Sequence, residues 1–404
     1  MEVINERCCG LDVHKKTVVA CVLTPEGSET RTFRTMTQGL LELADWLVEH
    51  EVSHVAMEST GVFWKPVYNL LEGLELTLLV VNARHMKAVP GRKTDVKDAQ
   101  WIADLLRHGL LQGSYIPDRS QRELRELVRY RRNLIRERSR VINRIQQVLE
   151  GANIKLSSVV TDITGVSGLA MLGALARGET TPEQLAALAR GTLRHKRAEL
   201  EAALHGLMGP HQRLMLQSQL RHLEFLAQEI EQMNQEVATR LDPFEEAVQV
   251  ADAIPGIGRR GAEEILAEVG TDMSRFPSRG HLSSWAKVSP GNKESAGKRK
   301  SGATGQGNPW LRSALVEAAW GAARTRGTYL SAQYHRLAAR RGAKRAILAV
   351  AHTILVTLYH LLRDGTTYQD LGGNYFDQRN PQAILRRSVR RIEALGYKVT
   401  LEAA

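Results

Sequence analysis

RCCGLDVHKKTVVACVLTPEG, residues 7–27, decides how the first third of the chain is read. Residues 7–14 and 17–24 form two short runs of β-branched and apolar residues around the polar pair Lys15-Lys16, with Pro25-Glu26-Gly27 as the next turn. Further out, TRTFRT (30–35) fits a third strand, and GLLELADWLVEH (39–50) has helical periodicity. HVAMES (54–59) is strand-like, PVYNLLEG (66–73) is helical, and LTLLVV (76–81) is an apolar, buried strand. DVKDAQWIADLLRHG (95–109) reads as a helix closed by Gly109. Three strands, then helix and strand in alternation, predict an α/β domain with a mixed sheet over residues 1–115.

Composition narrows the function classes. The chain has 404 residues, 43% hydrophobic and 25% charged, which fits a folded protein with a real core rather than a disordered one. Its formal charge of +11 favours polyanionic partners, of which nucleic acid is the commonest. The start MEVINERCCGLDVHKK is too acidic and too polar for a signal peptide. AILAVAHTILVTLYHLL (346–362) is short and carries two histidines, so a buried helix is expected there and no membrane span. Cys8, Cys9 and Cys21 support neither a disulfide framework nor a zinc site and suit a reducing cytoplasm.

From Arg119 to Arg144 arginine dominates, with no glycine or proline. Leu124, Leu127, Leu134, Val141, Ile145 and Val148 trace an imperfect heptad seam, with Arg131 and Arg138 at two of its positions. A second seam runs through Leu216, Leu220, Leu223, Leu226, Ile230, Met233, Val237 and Leu241. Residues 116–245 are therefore read as long coiled-coil helices, paired within or between chains, around a helical insertion at 151–192. The arginine-rich face, including Arg131, Arg132 and Arg138, is either a nucleic-acid face or a solvated flank. Residues 246–363 are expected to be mostly helical. There AIPGIGRRGAEEILAEVG (253–270) resembles a helix-hairpin-helix element, whose turn presents N–H groups to phosphate. A basic helix is expected over 332–363, and 364–404 forms a basic tail. Trp64, Trp101, Trp285, Trp310 and Trp320 are read as core residues.

Four acids and three serines are the candidates for chemistry. Asp12 ends the first strand in GLDVHK, Glu58 ends another in AMESTG, and Asp95 and Asp98 lie at i and i+3 in KTDVKDA. Singly, such residues are usually caps or solvated faces. Carboxylates that converge from strand ends and a helix instead suit a hard cation such as Mg²⁺ or Mn²⁺. Ser289, Ser295 and Ser301 sit among glycines beside Lys298, Arg299 and Lys300, a setting that admits phosphate.

The acidic motifs on a β-β-β-α-β-α order resemble an RNase H-like (RuvC-like) nuclease domain. GLDVHK, VAMESTGVFWKPV and GRKTDVKDAQWIADLL, followed by IPGIG, WAKVSPGNKESAGKRKSG and NPWLRSALVEAAW, resemble the insertion-sequence one-ten family of transposases from about residue 7 to about 360. The resemblance implies an N-terminal DEDD domain in which Asp12, Glu58, Asp95 and Asp98 hold divalent metal. It also implies a C-terminal transposase domain in which Ser295 is the nucleophile, and it selects Ser295 among the three. A serine needs a base or metal to activate it, so the acids and Ser295 are expected to form one composite site. Lys298, Arg299 and Lys300 would neutralise nearby phosphates. Further implications are donor and target DNA, a structured non-coding guide RNA, and a prokaryotic, nucleoid-associated protein, while the coiled coil points to a homo-oligomer, a dimer, with at least two dimers (a tetramer) to pair two DNAs at synapsis. The rival readings are a RuvC-like hydrolase of branched DNA and a non-catalytic nucleic-acid scaffold.

Overall fold

The fold was taken from a computed structural model, which describes residues 2–59, 61–82, 98–178, 181–291, 293–295, 297–301, 304–305, 307–379 and 381–402. Side chains at 293–295 and 298–301 are outside that description. The chain divides into two compact units, Met1–Arg119 and Ser120–Ala404.

In the first unit, β1 (Cys8–Val13), β2 (Thr17–Thr24) and β3 (Gly27–Arg34) form an antiparallel meander. β3 was expected to start at residue 30. It starts instead at Gly27, because a two-residue turn, Pro25-Glu26, already pairs Thr24 with Gly27. After α1 (Thr37–Glu49), β4 (His54–Glu58) pairs parallel with β1, and after α2 (Trp64–Leu71), β5 (Thr77–Val81) pairs parallel with β4. The five-stranded order is β3-β2-β1-β4-β5. Strand residues alternate between the two faces. Cys9, Leu11, Val13, Val55 and Met57 pack in the core with Leu40, Leu43, Leu47 and Leu71 of α1 and α2. Cys8, Cys21 and Ala56 face the other way, against Ala99, Ile102, Ala103 and Leu106 of α3 (Asp98–Arg107). Gly10 makes that second layer possible: a Cβ there would lie 2.2 Å from the Ala99 carbonyl oxygen and 2.4 Å from the Ala103 nitrogen. The start expected for α3, residues 95–97, lies outside the described residues.

The second unit is helical apart from one hairpin. α4 (Arg119–Gly151) and α9 (Pro210–Leu241) run antiparallel, tied by Arg240–Glu123 at 3.1 Å, Arg131–Asn234 at 3.3 Å and His222–Glu137 at 3.8 Å. Both apolar seams enter one core, with Leu134, Val141, Ile145 and Leu149 meeting Leu216, Leu223, Leu226 and Ile230. The seam therefore closes within the chain. It buries Val128 and Leu149 where Leu127 and Val148 had been expected. Between these helices, α5 (Leu156–Val159), α6 (Val166–Arg177), α7 (Pro182–Ala186) and α8 (Arg197–Leu204) cap one end, and Met171, Leu172, Leu185, Leu200 and Leu204 extend the same core.

Next come α10 (Glu245–Asp252) and α11 (Arg259–Val269), joined by the Ile-Pro-Gly-Ile-Gly turn, then α12 (Arg279–Trp285). At Gly256 the turn expected to face phosphate also packs against a helix. With φ +90°, Gly256 lies against α13 (Pro309–Arg324), where a Cβ would come within 2.2 Å of the Ala318 oxygen and the Ala322 nitrogen. Ile254 and Ile257 are buried beside it, so this part of the turn serves helix packing. The predicted glycine loop contains a two-stranded hairpin, β6 (Lys293–Ser295) with β7 (Lys298–Ser301). The helix expected at 332–363 is two helices, α14 (Tyr329–Arg341) and α15 (Ala343–Asp364), divided at Gly342 with φ +80°. α15 is the one helix among the described residues long and apolar enough to cross a membrane, and its Val350, Ile354, Leu355 and Leu358 lie in the interior. Of the tryptophans read as core, Trp320 is 39% exposed, whereas Trp46, which had not been singled out, is buried on Phe33.

Candidate active site

β1 and β4 are adjacent and parallel, paired through Leu11 and Met57. Asp12 and Glu58 each follow that pair directly, Glu58 as the last residue of β4 and Asp12 as the last but one of β1. By alternation they share the face of Gly10 and Ala56, the face that α3 covers. Asp98 is the first residue of α3, one position before Ala99, whose carbonyl oxygen approaches Gly10. Strand pairing and one glycine thus direct three of the four predicted acids to a common edge. Asp95 lies outside the described residues. Among the described residues, no three potential ligand side chains are close enough to form a metal cluster.

The donor chemistry at this edge is carboxylate oxygen, which suits a hard divalent cation. Asp12 is only 24% exposed at its side chain, and its Oδ2 lies 3.0 Å from His14 Nε2. His14 was missed in the sequence, although i, i+2 spacing on a strand puts it on the same face as Asp12. Burial pushes the Cys8 thiol up to about 11 and raises Cys9 and Cys21 as well, so all three stay protonated core residues.

In the second unit, Ser295 pairs with Lys298 at the closing end of the β6–β7 hairpin, and Glu294 pairs with Arg299. Ser301, another of the three serines, pairs with Lys293 at the open end. Lys300 lies on β7, between Arg299 and Ser301. The segment is anchored where α13 begins. Asn308 Oδ1 caps that helix by accepting from the Trp310 and Leu311 N–H groups at 3.0 and 3.2 Å. The Asn308 amide donates to Glu268, which also receives Arg129 through two bonds of 2.7 and 2.8 Å. Arg312 donates to Thr304 Oγ1 at 2.9 Å.

Glu268 belongs to a buried acidic face of α11 that sequence reading did not find. Arg131, 2% exposed, donates to Glu263 at 2.6 Å. Arg132, 6% exposed, is bonded to Glu264, Glu317 and Ser313. The expectation that Arg131 and Arg132 contact nucleic acid is therefore corrected: both guanidiniums are committed to carboxylates inside the unit. Arg138 is exposed. Burial raises the Glu264 carboxyl above its ordinary range, and Arg132 opposes that shift. The sequence signal was Glu263, Glu264 and Glu268 on a helix that otherwise reads as core.

Two family profiles match the chain. One, described as a transposase of the DEDD type, covers residues 9–154, and the other, described as the transposase IS116/IS110/IS902 family, covers 248–335. Asp12, Glu58 and Asp98 fall in the first segment and Ser295 in the second. The pilin gene-inverting protein of Moraxella lacunata is 27% identical over 32% of this chain, and that of Moraxella bovis is 26% identical over the same share. In each case the match spans 45% of the relative, a little under half its length. With both matched segments in order along the chain, the first reaching through α4 and the second starting in α10, the chain belongs to the IS110 family of transposases.

Proposed function

We propose that this protein is a DNA transposase that cuts and rejoins strands to move its own insertion sequence. The carrying observation is the placement of Asp12 and Glu58 at the ends of neighbouring parallel strands, on the face covered by the helix that Asp98 begins. The strand order β3-β2-β1-β4-β5 supports an RNase H-like reading of the sheet. Asp12, Glu58, Asp95 and Asp98 would hold Mg²⁺ or Mn²⁺, and when bound such a cation supplies Lewis-acid charge to a phosphoryl oxygen. His14, bonded to Asp12, orients that carboxylate.

Ser295 acts as nucleophile. Its Oγ forms a bond to a DNA phosphorus as one ester oxygen leaves. The leaving oxygen ends as the free hydroxyl of the cut strand and takes the proton that the serine gives up. The phosphoserine ester keeps the bond energy for rejoining. Lys298, Arg299 and Lys300 neutralise phosphates along β7, and the exposed Arg138 serves the same purpose. The name of the Moraxella relatives, gene-inverting protein, fits conservative recombination of this type. A structured guide RNA selects donor and target by base pairing while the protein reads backbone and shape. Pairing two DNA partners calls for at least two dimers, a tetramer at synapsis, in a prokaryotic cytoplasm.

Ser295→Ala and Asp12→Ala are to be compared in a recombination assay, with denaturing gels scored for protein attached to DNA. Both variants should lose recombination, and the serine variant should also lose the attached species. Recombination at the unmodified rate by Ser295→Ala overturns the covalent step, and by both variants it overturns the assignment of the site.

A further inference from the structure

The segment after residue 364 belongs to neither matched family segment, yet it is built onto the helical unit in a specific way. α16 (Tyr375–Gln378) brings Phe376 to α14, where the Phe376 ring stacks on Tyr329 at 5.2 Å and 22°. Tyr375 meets Tyr329 edge-on at 5.2 Å, and the Arg336 guanidinium lies 5.0 Å from the Phe376 ring centroid. Asp370 Oδ1 accepts from the Tyr329 and Gly372 N–H groups at 2.9 and 2.7 Å. These contacts fix the start of the tail. α17 (Pro381–Glu393) follows, with Arg386, Arg387, Arg390 and Arg391 on its exposed surface.

Between α14, α16 and α17 lies a groove of about 530 Å³ lined by Arg336, Arg340, Arg387, Phe376, Asp377 and Ile384. Three guanidiniums against one carboxylate leave it net positive. Neither Arg340 nor Arg387 has a carboxylate partner among the described residues, and both are exposed. That contrasts with Arg131 and Arg132, whose charges are neutralised internally. Arginine forks match phosphate oxygens in geometry as well as charge.

We propose that this groove binds the phosphodiester backbone of a single-stranded nucleic acid. A volume of about 530 Å³ takes part of one strand and is too small to enclose a duplex. Phe376 is already held between Tyr329 and Arg336, so contact falls on the backbone and not on a stacked base, and binding is independent of sequence. All three arginines follow residue 335, where the second matched segment ends. The proposal rests on the protein acting on nucleic acid, as set out above.

The test uses the full chain and fluorescein-labelled oligonucleotides: single-stranded DNA, single-stranded RNA of the same sequence, and duplex DNA, each titrated over a range of salt. Arg340→Ala/Arg387→Ala should weaken single-strand binding about 10-fold, and the slope of log affinity against log salt should shrink by about 1.4, roughly 0.7 for each lost contact. The strand that shows the loss, DNA or RNA, is the one the groove takes. Equal affinity and slope on both single strands, or a loss confined to duplex, overturns the groove. Circular dichroism and melting check that the double variant is folded. Asp377→Asn serves as an independent arm: it removes the groove's one carboxylate and should tighten single-strand binding, so unchanged affinity there also overturns the proposal. Wild-type protein that binds none of the three ligands overturns both the groove and the proposed function. Variants that bind like wild type remove the groove alone.

Discussion

Arg131 and Arg138 show how differently one residue type behaves seven positions apart on one helix. Both occupy seam positions in the sequence, and both were candidates for phosphate contact. Arg131 is 2% exposed and held by Glu263, whereas Arg138 points to solvent. Removing one partner of a buried ion pair costs about 3–5 kcal/mol when the other charge is left alone; Glu263 keeps Arg259 Nε at 3.3 Å, so the loss at Arg131 falls toward the low end of that range. An exposed arginine contributes about 0.5 kcal/mol or less. Arg131→Ala should therefore lower the urea midpoint of the helical unit strongly, and Arg138→Ala hardly at all. Equal shifts would contradict the burial assignment. The arginines of the helix were legible as charge, but their fate was not. It depends on Glu263, Glu264 and Glu268, more than a hundred residues later and on a helix that reads as core. His14 was within reach, since strand alternation already placed it beside Asp12.

At the level of elements, local pattern predicted well where the partner lay close in the chain. The runs around Lys15-Lys16 became β1 and β2, and Glu58 fell at the end of β4 with Asp12 one residue before the end of β1. The long helices were also visible from their seams, but periodicity reports only that a stripe needs covering. It does not name the cover, which here is the other seam of the same chain. The Ile-Pro-Gly-Ile-Gly turn has a packing role that local pattern did not show, for a similar reason. Its glycines suit a phosphate loop, but Gly256 is required by α13. Gly256→Ala forces a Cβ to 2.2 Å from the Ala318 oxygen at φ +90°, whereas a Cβ at Gly258 meets nothing within 4 Å. Overpacking together with left-handed strain should cost about 3 kcal/mol at Gly256. Gly258→Ala should shift stability by about 0.5 kcal/mol or less. Thermal melts of the two variants check this, and similar melting temperatures would contradict the packing role.

Over the whole molecule, chemistry and helical architecture are divided between two units. The first carries the carboxylate edge on a five-stranded sheet, and the second carries the serine hairpin, the in-chain helical pair and the arginine groove of the tail. The family resemblance was legible because its motifs fall in order along the chain. The tail's groove was not, because it depends on Tyr329, Phe376 and Arg387 meeting across almost sixty residues. The central claim is that the carboxylate edge makes the protein a metal-dependent DNA-cutting enzyme. Its most direct test is DNA strand cleavage by purified wild-type and Asp12→Asn protein, measured with Mg²⁺ and again after chelation. Wild-type cleavage should require the cation, and Asp12→Asn should cut at least about 100-fold more slowly, the loss typical of removing one charge-stabilising element of a site. Cleavage by Asp12→Asn at the wild-type rate, or wild-type cleavage that survives chelation, would contradict it.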